Sequence, residues 1–195
     1  EIAAGEEDAC EKLMYALVLS GLAMQMTGNS RPASGAEHHL VHLWDMEVVN
    51  GHLDALHGEK VSAGTMLVLL EYKKIADAIR KGNCKVHTCT EEDRELLQST
   101  FGKKGILGAI EKENTPELLD DVSTKELSDT LPGILKIIDA LPAVTDMQEM
   151  MNTAGCVSRV RDIGLPGEVI EESLRLAPYT RRRLSLLRLR KMLTY

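Results

Sequence analysis

Aromatic residues are scarce. Among 195 residues there are one Trp, one Phe and four Tyr. Base-stacking platforms and sugar-stacking clefts therefore lack their material, and the core falls to Leu, Ile, Val, Ala and Met, which suits packed helices. Cysteine is sparse as well: four thiols are too few for a disulfide scaffold. Bases are outnumbered, 23 Lys plus Arg against 30 Asp plus Glu, and a net charge of -7 repels a phosphate backbone, so no nucleic-acid partner is expected. No run of about 18 uninterrupted apolar residues occurs. The nearest, Leu13 to Met26, is broken by Ser20, Gly21 and Gln25, so neither a membrane span nor a membrane partner is expected. The chain opens on acids (Glu1, Glu6, Glu7, Asp8) where a signal peptide would carry bases, which points to the cytoplasm, and it lacks an initiator Met, which points to a fragment. Strand-type alternation and internal repeats are also missing.

What is present is a 44% apolar composition with helical periodicity almost throughout. Leu13, Leu17, Val18, Leu22 and Met26 recur at steps of three and four before Thr27, Gly28 and Asn29 stop the helix. Ser34 is placed to cap a second helix over about Ala36 to Asn50. A third runs from roughly Val61 through Arg80, with Met66, Leu69, Leu70 and Ile75 as core positions, and ends at Gly82 and Asn83. Thr90, followed by Glu91, Glu92 and Asp93, starts a helix that stops at Gly102. Thr115 and Pro116 form a cap and first-turn proline, and Ser123 opens a segment that Pro132 and Gly133 split. Thr145 to Cys156, Glu168 to Leu176 and Tyr179 to Leu193 complete the series. The class is all-α.

Charge is concentrated at the end. Residues 175 to 195 carry seven bases and no acid, leaving 16 bases against 30 acids, a net of -14, in the first 174 residues. The tail reads as a basic helix with Leu184, Leu187, Leu189 and Leu193 as its apolar stripe. Its cations pair with acidic neighbours and complement a helix C-terminus; a membrane-surface helix is the alternative.

Histidine is clustered: five of the six lie between 38 and 57. His38 and His42, four residues apart, share a helix face, while His39 points about a quarter turn away. Neutral imidazole is a common metal ligand, so a ligand pair, or a ligand with a proton carrier, is natural chemistry here. His57 precedes Gly58, and the turn at Gly51 sends the chain back toward the first histidines. His52 reads as a surface residue. Cys84, His87 and Cys89 invite a zinc reading, but three donors within six residues leave a tetrahedral shell short, and a surface loop with thiols fits better.

The segments G-N-S-R-P-A-S-G-A-E-H-H-L-V-H at 28 to 42 and H-G-E-K-V-S-A-G at 57 to 64, with R-L-A-P-Y-T-R-R-R-L-S-L-L-R at 175 to 188, resemble the sn-glycerol-1-phosphate dehydrogenases. These belong to the iron-containing and glycerol dehydrogenase superfamily. H-G-E-x-V is shared with glycerol dehydrogenases and dehydroquinate synthases; S-R-P-A-S-G-A-E-H narrows the choice. Residues 85 to 140 match only loosely.

The resemblance implies that residues 1 to 195 are an all-α helical bundle, the C-terminal domain of a dehydroquinate synthase-like or glycerol dehydrogenase-like enzyme. The N-terminal nucleotide-binding α/β domain is then absent. Family members hold a divalent metal with one Asp and two His; carried over, the two are His38 and His57, and the Asp belongs to a G-x-G-D segment before residue 1. Zinc or nickel and NAD(P) are the implied cofactors, and the implied substrates are dihydroxyacetone phosphate and sn-glycerol 1-phosphate. His42 is the candidate proton relay, or else a helix-face histidine bonded to backbone. Arg31, Ser30 and Ser34 are candidates for the substrate phosphate, with Arg31 read equally as a loop tie to a carboxylate. Glu37 and Glu59 flank the ligands and are candidates to orient them, Glu59 being equally a first-turn acid. Homo-oligomerisation is expected. The alternatives are a dehydrogenase of the same superfamily acting on glycerol or another polyol, and a non-catalytic helical interaction module.

Overall fold

A computed structural model describes residues 1–89 and 93–195. The proposed helix start at Thr90 to Glu92 lies outside the described residues. Helices dominate: α1 (Glu7–Thr27), α2 (Ala36–Asp45), α3 (His57–Arg80), α4 (Arg94–Phe101), α5 (Leu107–Asn114), α6 (Thr124–Asp139), α7 (Val144–Thr153), α8 (Ile170–Leu176) and a short α9 (Leu186–Leu189). The sheet among the described residues is one two-residue antiparallel pair, β1 (Lys85–Val86) with β2 (Leu193–Thr194). The all-α expectation holds.

Two apolar clusters form, and α3 passes through both. Its first half joins Ala63, Leu67 and Val68 to Leu40, Val41, Leu43 and Trp44 of α2 and to Leu174 and Leu176 of α8. Its second half sends Ile75 against Leu119, Leu127, Leu131, Met192 and Leu193. Met66, Leu69 and Ile75 are buried as the periodicity suggests, but Leu70 is 43% exposed because it sits on the outer face. The indole N–H of Trp44 donates to Ser173 Oγ at 3.0 Å and ties α2 to α8.

Helix α2 meets α3 at closest quarters beside Gly64. A Cβ there would lie 3.2 Å from the Glu37 carbonyl oxygen and 3.6 Å from its Cα. The missing side chain is what admits the neighbouring backbone.

Several boundaries differ from the sequence reading, each for a local reason. Helix α2 ends at Asp45 rather than Asn50, because the Asn50 amide donates to the Trp44 carbonyl and Glu47 turns to φ 53°. Ser34 does not cap α2: its N-cap is Gly35, whose N–H goes to the Glu37 carboxylate at 2.7 Å. Helix α3 begins at His57, not Val61, because Glu59 reaches back to the Leu56 N–H at 2.7 Å. Thr115 ends α5 instead of starting a helix. Pro132 does not split α6. Ser123 caps it, Lys73 takes the carbonyls of Ile138 and Leu141 at its far end, and Leu127, Leu131 and Ile138 bury one face. Together these outweigh the hydrogen bond that proline removes.

The tail is not one helix. A tight turn over Ala177–Thr180 and an extended stretch carry it to Ser185, which caps α9. It then closes on β1, with the His87 N–H donating to the Met192 carbonyl. Arg182 and Arg183 reach sideways to the carbonyls of Pro116 and Ser34, and a continuous helix could not satisfy both reaches. The expected pairing with acids is found: Arg175 and Lys191 with Asp93, Arg188 with Glu117, Arg190 with Glu71 and Glu171. Of the leucine stripe, Leu187 and Leu193 are buried and Leu184 is exposed.

Helix α1 forms as read, with Gly28 at φ 65° closing it, but it stands apart from both clusters. Leu13, Leu17, Val18, Leu22 and Met26 are all exposed, and Ala9 is its one buried residue. No helix among the described residues is long and apolar enough to cross a membrane.

The close approach at Gly64 is open to a direct test. Gly64→Ala should cost about 1 kcal/mol in urea unfolding, since overpacking against backbone outweighs the helix-propensity gain. Gly133→Ala, where an added Cβ meets nothing within 4 Å, should gain up to about 1 kcal/mol. A gain at both positions would show that α2 and α3 are not held at this distance.

Candidate functional site

The packing of α2 on α3 brings together the two histidines picked out by the sequence. The ring centroids of His38 and His57 are 5.6 Å apart, with the planes inclined at 52°. Two imidazoles sharing one tetrahedral metal, each nitrogen about 2.0–2.1 Å from it, place their centroids roughly 5–6 Å apart. The donor chemistry and spacing therefore fit a divalent cation.

The second requirement is a lone pair facing the ion. His38 Nδ1 lies 2.8 Å from Glu37 Oε1, which also accepts the Gly35 N–H. With Nδ1 donating to a carboxylate, Nε2 is left as the acceptor, the arrangement that orients metal-binding histidines. Burial works to raise the Glu37 pKa. The hydrogen bonds from His38 and from the Gly35 and Glu37 N–H groups outweigh it, and the net shift is downward, so the carboxyl stays ionised. Gly35 makes room for this fold-back, because a Cβ there would lie 2.7 Å from Glu37 Oε2.

The neighbouring candidates separate. Glu37 is bonded to the His38 ring, whereas Glu59 is occupied by the backbone at the start of α3. Lys60 pairs with Asp45 at 2.8 Å and keeps only 12% of its side chain exposed. His42 is half-buried one turn beyond His38; burial, then the charge of Arg181 and the nearby His38, lower its pKa. His52 is a surface residue bonded to Glu47. His57 is exposed at the first position of α3. No group of three or more His, Cys, Asp or Glu side chains among the described residues is arranged to hold a metal. Cys84 and Cys89 lie on the loop segments either side of β1, half-buried against the second cluster, and burial raises both thiol pKa values.

The phosphate candidates are only partly assembled. Arg31 is exposed, and its guanidinium makes no hydrogen bond or ion pair among the described residues, so it is not a tie to a carboxylate. Ser34 lines a cavity of about 390 Å³ together with Arg31, Gly35, His39, Arg182, Arg183 and Ser185. The Ser30 hydroxyl is instead held by Arg183 at 2.8 Å.

Sequence reasoning did not pick out His39, Arg182 or Arg183. The run of three arginines in an acid-free tail was the available signal. His39 is 1% exposed and neither ring nitrogen has a partner. Leaving a buried polar group unpaired costs roughly 1–3 kcal/mol. Burial, then the charge of Arg183, push its pKa down to about 4. A cavity of about 880 Å³ is lined by the Glu71, Asp93, Arg175, Arg190 and Lys191 network, whose charges already pair with one another.

No protein-family model matches the chain, and no solved structure matches it. Curated proteins do. One named glycerol-1-phosphate dehydrogenase (NAD(P)+) from Halalkalibacterium halodurans is 34% identical over 188 residues, 96% of this chain and 39% of that protein. One of the same name from Geobacillus stearothermophilus is 29% identical over 178 residues, 91% of this chain and 37% of that protein. A third, from Pyrococcus horikoshii, is 40% identical over 80 residues, 39% of this chain. The chain spans well under half the length of these relatives. Along almost its whole length, the chain is therefore similar to part of proteins named glycerol-1-phosphate dehydrogenase.

Proposed function

We propose that this chain is the metal- and substrate-binding helical part of an NAD(P)-linked oxidoreductase that interconverts dihydroxyacetone phosphate and sn-glycerol 1-phosphate. In this reading residues 1–195 work with a nucleotide-binding α/β part that they do not include. The observation that carries it is the 5.6 Å juxtaposition of His38 and His57, with Glu37 fixing the His38 ring. The relatives' printed name supplies the reaction class and the NAD(P) cofactor.

His38 and His57 would hold a zinc or nickel ion as neutral imidazoles, with a further ligand from outside this chain. A divalent cation bound there supplies Lewis acidity toward a hydroxyl or carbonyl oxygen. Everything else falls to the chain's own groups. Glu37 keeps the Nδ1 proton of His38 in place and its Nε2 lone pair turned outward. His42, one turn along the same face, is the residue proposed to take and return the substrate hydroxyl proton. Arg31 and Ser34 are proposed to grip the phosphate, which a guanidinium holds through two parallel bonds. Ser30 assists indirectly, through its bond to Arg183.

Calorimetric zinc titration of the 195-residue chain tests the metal assignment. One site is expected, weakened at least tenfold in His38→Ala and in His57→Ala and unchanged in His52→Ala. Equal affinity in the wild type and His57→Ala would remove the assignment. Because Glu37 acts through His38, Glu37→Gln should weaken zinc by about 10-fold or more. Undiminished affinity in that variant would show that the 2.8 Å bond plays no orienting role.

A further inference from the structure

Helix α1 is built inside out. Between Lys12 and Arg31 the sequence has no charged residue, in a chain of which 27% is charged. Successive residues turn about 100° around a helix axis, so Leu13, Met14, Leu17, Val18, Leu19 and Leu22 spread over about 240° of the circumference. Each of the six is between 43% and 60% exposed. The strip turned toward the rest of the chain carries mostly small side chains: Ala9 is buried, and Ser20 and Ala23 are half-buried beside Met24.

A helix that borders water keeps a polar face, and one that packs on a single neighbour shows it an apolar stripe of about 100°. An arc of about 240° matches neither case and needs neighbours on two or more sides. Exposed apolar surface of this kind marks an interaction site. A second copy that paired α1 with its own α1 would cover one stripe of each helix and leave the remaining leucines in water. The relatives offer a larger partner, since each keeps more than half of its length outside the stretch that this chain matches.

We propose that α1 is the docking helix by which residues 1–195 seat in the remainder of the same protein, within an apolar groove that encloses it on at least two sides. The occupant of the apolar arc is then a covalently joined part, which needs no separate association to reach it. This rests on the reading above in one respect, that residues 1–195 work with a part they do not include; it draws nothing from the metal or the substrate.

Cys10, an exposed thiol on the same helix, is the reporter. Maleimide labelling at that residue, followed by peptide mass spectrometry, is compared between the 195-residue chain and the protein at the length of its relatives. Labelling at least tenfold slower in the longer protein, at every protein concentration, is expected. Leu17→Ser and Leu22→Ser, about 140° apart on the helix, should each leave the urea midpoint of the 195-residue chain unchanged and lower that of the longer protein. Equal labelling rates in the two would overturn the docking. So would protection of Cys10 in the 195-residue chain alone that grows with concentration alongside a doubled mass in light scattering, because a second copy would then be the cover. Equal labelling in a longer protein that reduces dihydroxyacetone phosphate sinks this proposal and leaves the dehydrogenase reading standing; slow labelling in one that does not reduce it does the reverse.

Discussion

Everything about the site depends on how near α3 comes to the start of α2. Helices pack with their axes 8–10 Å apart, according to the side chains between them. Gly64 puts no side chain there, and the backbone of Glu37 fills the space. His57 lies two turns before Gly64 on α3, and His38 is the residue next to Glu37 on α2. A contact between backbones therefore fixes the positions of two rings that are 19 residues apart. Trp44, bonded to Ser173, and the buried Leu40 and Leu43 hold the rest of α2 at that angle.

Charge is the second organising term. A buried ion pair is costly to break, because each partner leaves behind an uncompensated charge. The Glu71 and Asp93 networks are closed in this sense, each acid shared by two bases and a tyrosine. They bind the tail to α3 and α8 and leave no charge over for a ligand. The cavity beside Ser34 is built the opposite way, with three cations anchored by carbonyls, a hydroxyl or nothing. The same tail thus supplies a structural clamp through Arg175, Arg188, Arg190 and Lys191 and sends Arg182 and Arg183 to the cavity beside Arg31.

Helical class was legible because the apolar spacing is helical wherever a helix forms, and the His38 and His57 pairing because a turn separates two short segments. Other features depended on contacts between residues distant in sequence. The leucines of the tail have helical spacing, yet Arg183 must reach Ser34 and β2 must reach β1, so the chain extends between two short helical pieces. Pro132 looked like a break because local rules see one lost hydrogen bond and not the Lys73 ammonium at the far end of the helix. His39 was passed over because isolation of a buried ring is a property of its surroundings and leaves no mark in spacing. Leu70 was misplaced for a simpler reason: 24 residues of α3 cover more circumference than the neighbours on one side can bury.

Glu37 joins the two halves of the site. One oxygen accepts from Gly35, which borders the arginine cavity, and from His38, which faces His57. An ionised carboxylate so placed accepts from His38 Nδ1 and so sets which ring nitrogen keeps its lone pair. Arg31, Arg182 and Arg183 line that cavity with Gly35 and make no ion pair with Glu37 among the described residues. The fold-back over Gly35, possible because that residue has no Cβ, is what brings the Glu37 carboxylate onto the His38 ring within one turn of helix.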